Sequence, residues 1–93
     1  MVNSIVVDFS GCKSEEELCL SIKKAVGFPF EVGNNFNAIW DCLYLYYRHN
    51  ICFILKGLKL LPYHLNDDIK IIHKLFDLLS QKDPMVTVYY QNN

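Results

Sequence analysis

The sequence predicts an α/β fold, a small three-stranded parallel sheet with three to four helices packed on it. Three observations carry this. Short β-branched and aromatic runs stand near the start, the middle and the end of the chain. Segments with helical spacing of apolar residues separate them, so consecutive strands are joined by crossovers and run parallel. The middle run, Ile51–Leu55, is continuously apolar, the pattern of a central strand buried on both faces.

Ile5–Phe9 is the first strand, ended by Ser10-Gly11. Ser14 and Glu17 form a capping box, in which the hydroxyl takes one free backbone donor and the carboxylate returns to another. Glu15 and Glu16 complement the positive end of that helix dipole, and Lys23 and Lys24 its negative end. These glutamates therefore read as helix-end residues, not as an acidic patch. Leu18, Ile22, Ala25 and Val26 mark the buried face, and Gly27 stops the helix.

Phe30–Tyr47 is the most informative stretch. Gly33 permits a tight bend with positive φ. Asn34 or Asn35 then caps a helix running from about Phe36 to Tyr47, which His49-Asn50 closes. Phe36, Ile39, Trp40 and Leu43 make its apolar stripe. Trp40 is assigned mainly to the core, with its edge reaching the surface. Asn37 and Asp41 lie one turn apart on a more polar flank that Tyr44 and Arg48 continue. Glu31 and Asp41 are the only charged residues between Gly27 and Tyr47, which predicts an acidic, aromatic surface with no basic residue to neutralise it.

After the middle strand, Leu58–Leu61 forms a short helical turn that Pro62 stops, and Pro62–Leu65 is a connection. Asn66 caps the last long helix, with Asp67 and Asp68 in its first turn. Ile69, Ile72, Leu75, Phe76 and Leu79 form its inner face, and Ile71 and Leu78 widen that face beyond what a one-sided helix needs. Met85–Tyr90 is the final strand, and Gln91–Asn93 a frayed tail. Residues 1–93 are expected to form a single domain, because there is no repeat, low-complexity tract or linker.

Composition excludes several classes of function. A net charge of −1 gives no global field for nucleic acid. Arg48, Lys56 and Lys59 are too few for a phosphate track, so no direct nucleic-acid binding is expected. No apolar run approaches the about 18–20 residues of a membrane span. The N-terminus lacks the basic, then apolar, pattern of a signal peptide. Cys12, Cys19, Cys42 and Cys52 contain no C-x-x-C pair and read as reduced, partly buried thiols, which points to the cytoplasm. No metal or cofactor is expected: the four glycines are scattered, and no histidine or cysteine has ligand spacing. Nor is an enzyme. A Cys42–His49 pair would set the thiol beside Asp41, whose charge raises a thiol pKa.

A surface for a basic protein fits better. A carboxylate can replace a phosphate through charge-assisted hydrogen bonds, and tyrosines supply rigid contact area with a polar tip. The run Gly33, Asn35, Ala38, Ile39, Trp40, Asp41, Cys42, Leu43, with Pro29 before it, resembles the barstar family of intracellular ribonuclease inhibitors. The resemblance implies a barstar-like domain that blocks the active site of a barnase-like or other toxin ribonuclease, as an immunity protein that protects the producing cell. It implies that Gly33, Asn35, Phe36, Asn37, Trp40 and Asp41 contact the nuclease, with Asp41 entering its active site. Tyr44 joins them from its place on the same flank.

Four positions depart from the family pattern. Asn37 stands in place of an acid, Glu31 in place of a tyrosine, Tyr46 in place of a tryptophan, and Leu78 in place of a further acid on the last helix. Fewer acids mean weaker steering. The expected partner is therefore less basic than barnase, or reads the Tyr44–Tyr47 surface, and barnase itself should bind weakly. The free chain is expected to be a monomer. The alternative is a barstar-like interaction module whose partner is not a nuclease.

Overall fold

A computed structural model describes residues 3–46 and 50–91, with Tyr46 described by its backbone alone. The predicted roles of Tyr47, Arg48 and His49 and of the tail residues Asn92 and Asn93 lie outside the described residues. The elements run β1 (Asn3–Asp8), α1 (Glu15–Val26), α2 (Phe36–Tyr46), β2 (Ile51–Lys56), two 3-10 turns (Leu58–Leu60 and Tyr63–Leu65), α3 (Asn66–Lys82) and β3 (Val86–Gln91). The strands form one parallel sheet in the order β1-β2-β3. This is the predicted α/β architecture. Gln91 pairs with Lys56 at the end of β3 and so belongs to the strand, not to a frayed tail.

The Ser14 half of the predicted capping box forms, while the Glu17 carboxylate returns one residue further, to Lys13 and not to the cap residue itself. Ser14 Oγ accepts from Glu17 N–H at 3.2 Å, and Glu17 Oε1 accepts from Lys13 N–H at 3.1 Å. At the other end Gly27 adopts φ 69°, and its N–H bonds Lys23 O at 2.8 Å. α3 starts differently from the expectation. Asn66 is its first helical residue, and Leu65 occupies the cap position with no side-chain bond. The turn Tyr63–Leu65 runs directly into the helix, so no extended residue remains for Asn66 to cap from.

Helices cover one face of the sheet. On it Ile5, Phe53 and Val88 stand in register, as do Val7, Leu55 and Tyr90. Phe53, Val7 and Leu55 pack there in one core with Leu18 and Ile22 of α1, Ile39 and Leu43 of α2, and Ile72, Phe76 and Leu79 of α3. On the opposite face Cys52, Ile54 and Lys56 are only half-buried, and Val6 and Tyr89 are exposed. β2 is central but not buried on both faces, contrary to the expectation. The apolar run reports its middle position, where two neighbouring strands shield it, and not a second helical layer.

All four cysteines are free thiols, Cys12 and Cys19 buried. Burial, with Glu15 and Asp68 adding to it and Lys23 opposing, pushes the Cys19 thiol up to about 11 from an ordinary value of 9.0. The folded state therefore holds the proton more tightly, and this contribution to stability is present below the unfolded value and lost as pH rises above it. Iodoacetamide at pH 8, followed by mass spectrometry, should leave Cys19 unmodified in the native chain and label it in urea. Native labelling at the unfolded rate would contradict the burial.

Candidate protein-binding face

The face is built from the loop after α1 and from the exposed side of α2. Val32 is buried and anchors the loop, and Lys23 pins it from α1: Nζ donates to Val32 O at 2.6 Å and to Asn34 Oδ1 at 2.7 Å. Lys23 thus does more than complement a helix end. Asn34 is held by that bond, and the cap of α2 is Asn35, whose Oδ1 accepts from Ala38 N–H at 2.9 Å. Asn35→Ala should cost about 0.5–2 kcal/mol of stability, read as a lower urea midpoint with an unchanged slope.

Gly33 does not adopt positive φ, which corrects the predicted reason for it. Its smallness serves a close approach instead. A Cβ there would lie 3.1 Å from Asn35 Nδ2 and 3.5 Å from Ala38 Cβ, crowding the capping side chain.

Along α2, Ile39 and Leu43 are fully buried and fix the helix to the core. Phe36, Trp40 and Tyr44 are half-buried, and Asn37 and Asp41 are exposed. The Trp40 and Tyr44 rings stack with centroids 5.5 Å apart at 28°. Among the described residues none hydrogen-bonds or ion-pairs with the Asp41 carboxylate. Phe36, Asn37 and Trp40 also line a shallow groove whose far wall is α3, through Ile71, Lys74, Leu75 and Leu78. Trp40 thus divides between core and surface, as its place in the stripe predicts.

Two lysines correct the expectation of a surface without bases. Lys74 lines the groove, and Lys82 Nζ lies 5.7 Å from the centroid of the Tyr44 ring, over its face. Both were legible in principle. Ile71, Lys74, Leu75, Leu78 and Lys82 recur at helical spacing and so share one side of α3. The α3 acid Asp77 is engaged elsewhere, accepting from the Tyr90 hydroxyl at 2.8 Å. Of the remaining predicted site residues, Glu31 is exposed and lines a separate hollow with Lys23, Lys24, Phe28 and Phe30. Tyr46 ends α2, and its side chain is not among those described.

Among the described residues no group of three or more histidines, cysteines, aspartates or glutamates converges to hold a metal, and no helix is long and apolar enough to cross a membrane. What the face offers is one exposed acid on a rigid capped helix, stacked aromatics beside it, and an apolar groove.

Fold and face together define a class, the small parallel α/β proteins whose second helix and preceding loop stand exposed. The family model described as "Barstar (barnase inhibitor)" matches residues 2–91, nearly the whole chain, and the chain belongs to the barstar family. No curated protein matches it. The family's members are inhibitors, so the family points to a barnase-inhibitor-like role.

Proposed function

We propose that this chain is an intracellular inhibitor of a bacterial ribonuclease, and that Asp41 replaces a substrate phosphate in the nuclease active site. The observation that carries the reading is the state of Asp41. It is exposed, has no bond to any described residue, and sits on a helix held by an Asn35 cap and two buried side chains. A carboxylate so placed enters a site built for phosphate without first breaking a bond to any described residue, and charge-assisted hydrogen bonds there are about twice as strong as neutral ones. Asn37, Trp40 and Phe36 surround the inserted acid, with Asn35 and Gly33 shaping the approach. Tyr44, Tyr46 and Glu31 extend the contact. The inhibitor acts in the cytoplasm as a monomer, catalyses nothing and needs no cofactor.

A second reading draws support from α3. Leu78 and Lys74 stand on the side of the groove where the resemblance implies acid, which suits a barstar-like module with a non-nuclease partner. One experiment separates the two. Titrating the chain into a panel of microbial ribonucleases, including barnase and any nuclease encoded beside this gene, should give stoichiometric loss of RNA cleavage for one member and weak inhibition of barnase. Cleavage unchanged throughout the panel would favour the second reading.

A further inference from the structure

We propose that the ribonuclease seats one apolar side chain, aliphatic or aromatic, in the α2–α3 groove, with a carboxylate beside it for Lys74; this rests on the inhibitor reading above. Among the described residues the groove is lined by the apolar Phe36 and Trp40 from α2 and Ile71, Leu75 and Leu78 from α3, and Lys74 is the one charged residue that lines it. The groove is open to solvent, with a volume of about 160 Å³. That space takes up a side chain and not a larger body.

The fold does not require all of these walls. Ile72, Leu75, Phe76 and Leu79 already fill the core side of α3. Ile71 nevertheless remains 43% exposed, and Leu78 is half-buried. The groove is also continuous with the proposed binding face, since Phe36, Asn37 and Trp40 belong to both. A carboxylate that reaches a nuclease active site from Asp41 brings this groove against the rim of that site. Binding energy concentrates where an anchor side chain fills such a pocket and excludes water.

Charge selects the partner's chemistry. Asp41 lies one helical turn beyond Asn37 on the α2 side, and Lys74 on the α3 side, so the face is acidic at one edge and basic at the other. A uniformly basic nuclease surface would meet Lys74 with like charge, which opposes docking. A surface with a basic pocket for Asp41, an apolar knob, and an acid beyond it matches all three features.

The test uses the full chain against the same panel of microbial ribonucleases, barnase included, and takes the member inhibited most tightly. Leu78→Ala and Ile71→Glu should each weaken inhibition at least about tenfold, and Lys74→Glu should weaken it too. Ile71→Glu lies at an exposed position, so its loss is not one of folding, and circular dichroism checks each variant. The inference is overturned if Leu78→Ala and Ile71→Glu leave inhibition within about twofold while Asp41→Ala still impairs it; the inhibitor reading then survives alone. Tighter binding by Lys74→Glu overturns it as well, because the surface opposite is then basic. A free chain that sediments as a dimer, and as a monomer after Ile71→Glu, assigns the groove to a second copy and also overturns it. Wild type that inhibits no nuclease removes the inhibitor reading, and this inference falls with it.

Discussion

Asp41→Ala should weaken inhibition of the cognate ribonuclease by about 2–5 kcal/mol, the range for truncating one partner of a buried, hydrogen-bonded charge pair, whose measured cases include the barnase–barstar complex itself. That is roughly a 30- to several-thousandfold rise in the inhibition constant. Most of the loss arises because the nuclease cations, already desolvated by the complex, are left without their counter-charge. The free chain should hardly notice the change. Asp41 is exposed and holds no other described residue in place, so stability should stay within about 0.5 kcal/mol of wild type. Asp41→Asn, which keeps size and hydrogen bonding but not charge, should recover little. Equal inhibition by wild type and Asp41→Ala would move the binding centre to the aromatic residues.

Phe76→Ala should be the most damaging core substitution. Phe76 is fully buried, and its ring packs on Phe53 with centroids 5.2 Å apart at 60°, which ties α3 to the central strand. Removing a buried phenylalanine costs about 3–5 kcal/mol through lost transfer energy and an unfilled cavity, and the tilted aromatic pair contributes about 0.5–1.5 kcal/mol beyond its buried area. Total stability of a domain is about 5–15 kcal/mol, so the variant should be close to marginal. Its melting temperature should fall by about 12 °C or more, read by circular dichroism or calorimetry. A fall of only a few degrees would show that the site collapses around the gap.

Local chemistry explains what was legible in the sequence. Ser14 and Glu17 announce α1 because capping needs a hydroxyl and a carboxylate three residues apart. The stripe of Phe36, Ile39, Trp40 and Leu43 announces α2 because one helical face must be apolar to meet the sheet. The run from Ile51 announces a middle strand because flanking strands and the helical layer remove most of it from water. The same run could not report that the far face lacks helices, since half-buried Cys52 and Ile54 tolerate the same residue types. Asn66 misled because an asparagine before two aspartates suits a cap, while the preceding turn had already set the backbone in helical geometry.

Within the candidate face, helical spacing set Asn37 and Asp41 on one flank of α2, and the family resemblance singled them out with Trp40 as contacts. Spacing did not show Lys23 reaching Val32 and Asn34, because hydrogen bonds between residues 9 and 11 positions apart across a loop leave no period. It also missed the groove. Phe36 and Ile71 meet only when α2 and α3 pack side by side, and the excess breadth of the α3 face at Ile71 and Leu78 was its sole trace.

The claim that Asp41 occupies a phosphate site has a direct measurement. Inhibitor affinity would be followed by calorimetry on the inhibited ribonuclease while inorganic phosphate or a nucleotide monophosphate fills the active site. Wild-type affinity should fall in proportion to phosphate occupancy, and Asp41→Ala, lacking the competing carboxylate, should lose much less. Wild-type affinity that ignores bound phosphate, with inhibition independent of RNA concentration, would place the inhibitor outside the active site and contradict the role given to Asp41.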